Sequence, residues 1–244
     1  MSAALAERYH RPMTPRTLIL GLALSLVACA GPRQADRTPV PEGINDSFLA
    51  EDLDVQGFVD RWELESREVY AARLELLAAL ELEPGARVAD VGTGTGLFVE
   101  GMASAVGPEG RVFAVDISPR FCFHVRERAR ELGLDQVEVV LSNDRSTELP
   151  ENSVDVVFLC DVYHHFEYHE DMLRSIRRAL KPGGRFVFVD FHRVEGVTRE
   201  WLLGHVRAGQ EVFRAEVEAA GFVLEGEVDI PAFEDNYCLR FVAP

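Results

Sequence analysis

The stretch VADVGTGTGLF, Val88 to Phe98, reads as a strand that breaks into a glycine-rich turn and then opens a helix. Val88, Ala89 and Val91 are small or β-branched residues suited to a buried central strand. Gly92, Gly94 and Gly96 supply backbone freedom and the missing side chains that let a ligand lie against the main chain. Further on, RVFAVDIS (Arg111 to Ser118) reads as a second apolar strand whose tip carries Asp116. A carboxylate at the tip of the second strand of a βαβ unit is placed to accept two hydrogen bonds from a ribose diol. The glycine turn and this acid together mark a nucleoside-bearing cofactor.

The glycine spacing narrows the choice. A dinucleotide fingerprint, G-x-G-x-x-G/A, needs a third small residue, and that position falls on Leu97. The nicotinamide-oxidoreductase alternative fails there. The pattern present, Asp90-x-Gly92-x-Gly94-x-Gly96, resembles motif I of the class I S-adenosylmethionine-dependent methyltransferases, and Asp116 resembles their ribose-binding acid. LPENSVDVVFLCDVYHHF (Leu149 to Phe166) resembles the loop, fourth strand and post-strand segment of that family. LRSIRRALKPGGRFVFVDF (Leu173 to Phe191) resembles its helix, Pro-Gly-Gly turn and fifth strand. The likeness covers roughly Asp54 to Val242 and is closest to the small-molecule type that includes quinone-biosynthesis methyltransferases.

That resemblance implies S-adenosyl-L-methionine as cofactor and a site drawn from Asp90, Gly92, Thr93, Gly94, Gly96, Asp116 and Ile117. Asn143 and Asp144 occupy the region where the family places a polar group on the adenine amine, and either can serve. Asp161, after the fourth strand, is placed to approach the cofactor ammonium. Asp90 reads equally as a cofactor contact or as a strand-end residue that anchors the loop.

Strand alternating with helix predicts an α/β fold, a doubly wound, Rossmann-like, seven-stranded and mostly parallel sheet with helices on both faces. The resemblance adds an antiparallel last strand beside the fifth. Phe58, Trp62, Val69, Leu76, Leu77 and Leu80 recur at helical intervals, so one helix is expected from Val55 to Leu80. In the family, such an extra N-terminal helix covers the active site. Within it, Arg67, Glu68 and Arg73 read as a solvated, salt-bridged face and Tyr70 as the residue turned to the site. Leu180 closes a helix before a Lys181-Pro182-Gly183-Gly184 turn, and Arg185 to Asp190 forms the fifth strand.

The chain has 244 residues, 47% of them hydrophobic, enough for one substantial core. Its formal charge of −16 argues against nucleic acid or an anionic membrane surface as partner, since both need a basic footprint. Arg8, Arg11 and Arg16 precede the apolar run Leu18 to Ala28, too short to span a bilayer and typical of a signal-peptide core. The run ends in Leu26-Val27-Ala28-Cys29, which resembles the lipobox of bacterial lipoproteins. Residues 1–28 are therefore expected to be a signal peptide, 29–50 a flexible tether and 51–244 the methyltransferase domain. Met13 is an alternative start. The implied location is the bacterial envelope, lipid-anchored through Cys29 on the periplasmic side; an unprocessed signal leaves the protein cytoplasmic.

Tyr163, His164 and His165 are the catalytic candidates, with His192 beside them, because imidazole exchanges protons near working pH. The two adjacent histidines read first as pocket-shaping residues and only second as a general base. Methyl transfer from a sulfonium is an in-line displacement on an activated carbon, so alignment can carry much of the rate. Cys122, Cys160 and Cys238 lack ligand spacing, and no metal site is expected. The acceptor is expected to be a small molecule or a lipid-like one. The competing reading is a non-catalytic lipoprotein that keeps the fold as a binding module.

The anchor is directly testable. Cys29→Ser should abolish incorporation of a fatty-acid analogue and move the protein out of the membrane fraction; a wild type that takes up no label would overturn the lipobox.

Overall fold

A computed structural model describes residues 39–244. The expected signal peptide, Cys29 and most of the expected tether lie outside the described residues. No helix among the described residues is long and apolar enough to cross a membrane.

Four short helices come first: α1 (Asp46–Leu49), α2 (Val55–Trp62), α3 (Glu68–Ala71) and α4 (Arg73–Ala79). The α/β body follows as β1 (Arg87–Val91), α5 (Val99–Val106), β2 (Arg111–Asp116), α6 (Pro119–Glu131), β3 (Val137–Leu141) and β4 (Val154–Cys160). A 3-10 turn at Tyr163–His165 leads to α7 (His169–Ala179), β5 (Leu180–Phe191), α8 (Glu200–His205), α9 (Gln210–Ala219), β6 (Val223–Glu227) and β7 (Asn236–Val242).

The seven strands lie in the order β3-β2-β1-β4-β5-β7-β6. β7 runs antiparallel to both of its neighbours, and the pairs among β1 to β5 are parallel. This is the expected Rossmann-like sheet. Strand order reverses between β1 and β4, the crevice where open α/β sheets bind ligands.

The two faces of the sheet divide the core by strand alternation. Val156 and Phe158 of β4 join Val88, Val112 and Val187 on one face, where Leu76, Met102 and Val106 cover them. Val157 and Leu159 join Val91, Val115 and Phe188 on the other, under Ile176 and Phe213. Both faces are buried, as a parallel sheet requires.

Three expectations need correction. The single helix expected from Val55 to Leu80 is three pieces, bent between Trp62 and Glu68. Val69, Ala72, Leu76 and Leu80 are buried on the sheet, whereas Phe58 and Trp62 turn over the ligand crevice. One straight helix cannot serve both surfaces, so tertiary packing overrides the period. Residues 45–49, expected as tether, are packed on the domain: Phe48 lies 5.6 Å from the Phe58 ring, and Asn45 Nδ2 donates to the His165 carbonyl at 3.1 Å. The Pro-Gly-Gly segment is no free turn. Leu180 already pairs with Val154, and the register shifts before Arg185 pairs with Val156, which leaves Lys181–Gly184 as an irregularity inside β5. Gly183 N–H donates to the Ala243 carbonyl there, at 2.6 Å. Helix α8 was not anticipated from the sequence.

Candidate active site

A cavity of about 340 Å³ opens at the carboxyl ends of β1, β2, β4 and β5, within the range of small-molecule sites. Its floor is the glycine loop. Gly92 and Thr93 N–H groups donate to the Val115 carbonyl at 2.8 and 3.0 Å, which pins the loop to the end of β2. Gly94 has φ +53°, and a Cβ there would lie 2.9 Å from the Trp62 ring, so the indole can close onto the backbone. Gly96 stands outside the cavity. Its φ is +81° and a Cβ would lie 3.0 Å from Val125, so this glycine lets α6 approach the loop. It packs the site without facing it.

Four aspartates end these strands, all at the cavity or just behind it. Asp116 is buried; one carboxylate oxygen accepts the Gly94 N–H and the other the Ser118 N–H, both at 2.8 Å. Each oxygen keeps a lone pair for a hydroxyl donor. Burial pushes its pKa up to about 6 against those backbone bonds. Asp90 accepts the Thr93 hydroxyl at 2.7 Å, and burial pushes it to about 7, with the Asp116 charge adding to the rise. Both residues line the cavity, so Asp90 anchors the loop and also faces the space above it.

Asp161 differs from expectation. Arg67 Nη2 donates to one oxygen and Asn236 Nδ2 to the other, both at 2.7 Å. The carboxylate is thus paired within the protein, where a free acid facing an ammonium was expected. Arg67, expected on a solvated face, lines the cavity. Its neighbour Glu68 accepts N–H bonds from Glu234, Asp235 and Asn236. Tyr70, the residue expected to face the site, instead lies under the Arg73 guanidinium, 4.2 Å from the ring centroid.

Asn143 and Asp144 both line the cavity, as does Ile117. Asn143 is engaged on both ends of its amide, donating to Glu148 at 2.8 Å and accepting the Arg145 N–H at 2.9 Å. Asp144 makes no hydrogen bond among the described residues and is exposed.

The catalytic candidates separate. Tyr163 is wholly buried away from the cavity, its hydroxyl donating to Glu216 at 2.8 Å and its ring packed on Phe188 and Phe213. It belongs to the core. His192 is also outside the cavity, its ring tilted against Tyr237 and its backbone N–H on the Asp235 carbonyl. His164 and His165 do line it. His164 Nδ1 donates to Asp190 at 2.8 Å, and both side chains are almost fully buried. Burial pushes His165 down to about 2, so its ring is neutral. His205, at the end of α8, completes a group of three histidines whose ring nitrogens lie within 4.8 Å of one another. No spacing in the sequence signals this, because His205 lies forty positions beyond His165.

The roof is aromatic. Phe58 lies 4.6 Å from Trp62 and 5.5 Å from Phe121, and Phe48 lies 5.3 Å from His165. Phe191 and Trp201 continue this lining toward His205. The cavity therefore has a polar, acidic end at the glycine loop and an aromatic end that carries the histidines.

Residues 89–188 match the methyltransferase domain family. S-adenosylmethionine is the cofactor that this match supports. The close-approach glycine loop and the buried Asp116 carboxylate fit that cofactor's backbone-contacting chain and ribose. Over 113 residues the chain is 35% identical to the ubiquinone/menaquinone biosynthesis C-methyltransferase UbiE of Ectopseudomonas mendocina, covering 46% of this chain and 44% of that protein. It is 32% identical over 118 residues to the demethylmenaquinone methyltransferase of Listeria welshimeri, covering 48% and 50%. The match thus spans about half the length of these relatives. A S-adenosylmethionine-dependent methyltransferase from Aquifex aeolicus shares the fold, with TM-score 0.68 and 22% identity over 78% of this chain and 99% of that one.

An acid whose pKa rises on folding holds its proton more tightly in the folded chain. Its contribution to stability is most favourable below the unfolded value and falls as pH rises through the folded value. For Asp90 that window runs from 3.8 to about 7. The melting temperature of the wild type should therefore decline relative to Asp90→Asn across this window, in a thermal-melt series without cofactor.

Proposed function

We propose that this protein transfers a methyl group from S-adenosylmethionine to a small, flat, largely apolar acceptor. The observation that carries this reading is the two-ended cavity, with the glycine loop and Asp116 at one end and an aromatic lining at the other. Asp116 takes the ribose hydroxyls, Gly92 to Gly94 the methionine portion, and Asp144, free of internal bonds, the adenine amine. The bound cofactor supplies an electrophilic methyl on a sulfonium. The chain's own part is to hold the acceptor in line with that methyl, to exclude water beneath the aromatic roof, and to keep acidic groups near a cationic ligand. The names of the quinone-biosynthesis relatives support quinol or phenol acceptors. The order of basic residues, apolar run and lipobox supports a domain tethered by Cys29 to the periplasmic side of a bacterial membrane.

A non-catalytic binding module is the weaker reading. It gives no reason for a glycine loop, a ribose acid and an aromatic acceptor wall in one cavity.

Formation of S-adenosylhomocysteine on a panel of quinols, phenols and small thiols tests the reaction; a panel with no turnover by a folded, cofactor-binding protein would favour the module. Asp116→Ala should weaken S-adenosylmethionine binding by about 1.5–3 kcal/mol, the worth of a charge-assisted contact, with the fold intact by circular dichroism. Unchanged affinity in calorimetry would remove Asp116 from the cofactor site.

A further inference from the structure

His164, His165 and His205 come from two separate segments, the 3-10 turn after β4 and the end of α8. The His205 ring meets the other two edge to face, with centroids 5.0 and 5.1 Å away, and His164 and His165 lie tilted at 4.3 Å. His165 Nδ1 is buried and has no hydrogen-bond partner, an open acceptor or ligand atom inside the domain. His164 presents the opposite case. Asp190 takes its Nδ1–H, which fixes the tautomer and leaves Nε2 as a lone-pair donor. A carboxylate behind a ligating histidine is the usual support that orients the ring and raises its basicity.

We propose that His164, His165 and His205 form a three-histidine site for a divalent transition-metal ion, taken here as Zn²⁺, with one position open to the cavity. Nitrogen ligands at about 2.1 Å from a tetrahedral ion stand about 3.4 Å apart, so the group closes with a small inward shift from its present spacing. Three imidazoles select borderline metals such as Zn²⁺ over Mg²⁺ or Ca²⁺, which take oxygen ligands. The ion's charge is balanced from behind by Asp190 on His164, with Asp161 in electrostatic reach of both. Three protein ligands leave the fourth position for water or an acceptor oxygen, as catalytic sites of this geometry do. Resting on the methyl-transfer reading above, that position selects acceptors with an ionisable oxygen, of the phenol, catechol or enol class, which would bind as the anion beside the aromatic wall with the hydroxyl proton released to solvent.

The test uses untagged full-length protein stripped with chelator. Titration with CoCl₂ should give a saturable one-to-one complex with visible d–d bands of a tetrahedral nitrogen site, and ZnCl₂ should displace it. His205→Ala should lose more affinity than the roughly 10–100-fold that changes behind a ligand cost. His205→Cys should bind again and add a thiolate-to-cobalt charge-transfer band, a signature that a packing role for residue 205 would not produce. A wild type without saturable cobalt or zinc binding overturns the site, and so does a folded His205→Ala that binds as tightly as wild type. Calorimetry with S-adenosylmethionine on the same samples separates the two readings. Intact cofactor affinity without metal binding removes the metal alone, whereas loss of cofactor affinity in the wild type removes the methyltransferase reading.

Discussion

Four carboxylates brought out of water at one edge of the sheet are the constraint around which this domain is arranged. Asp90, Asp116, Asp161 and Asp190 sit at or next to the carboxyl ends of β1, β2, β4 and β5, in surroundings where an unpaired charge is costly. Each is met by its own partners. Thr93 serves Asp90, backbone N–H groups serve Asp116, Arg67 and Asn236 serve Asp161, and His164 serves Asp190. The glycine loop is thus tied to Asp90 and Asp116, the N-terminal cap and the C-terminal hairpin meet on Asp161, and the histidine turn holds Asp190. A cationic ligand entering this edge meets a field already concentrated there.

The strands and the glycine loop were legible because their signals are local. Alternation along Val154–Cys160 and the spacing of Gly92, Gly94 and Gly96 need no knowledge of distant segments. What escaped was non-local. Arg67 reads as one more charge on a helix surface until β4 and β7 bring Asp161 and Asn236 to it. Tyr163 reads as a candidate because it adjoins His164, but a 3-10 turn sends the two side chains to opposite sides of one backbone, one toward Glu216 and one toward Asp190. Helix α8 is short and lacks a strong period, so neither it nor His205 could be placed beforehand.

The same contrast explains the bend between α2 and α3. Apolar residues recur at a helical interval through the whole N-terminal segment, and that interval is real within each piece. The pieces nevertheless serve two surfaces, the sheet face under Leu76 and Leu80 and the crevice under Phe58 and Trp62. Periodicity reports which side of a helix is buried and is silent on what buries it.

Arg67 and Glu68 are consecutive, and their partners lie far along the chain. Arg67 reaches Asp161 after β4, while Glu68 gathers three backbone N–H groups where β7 begins. Helix α2 with its aromatic roof thus runs into a segment fastened at two distant points, one of them an ion pair. The guanidinium of that pair is partly exposed, so salt screens this fastening, whereas the backbone bonds to Glu68 hold the other.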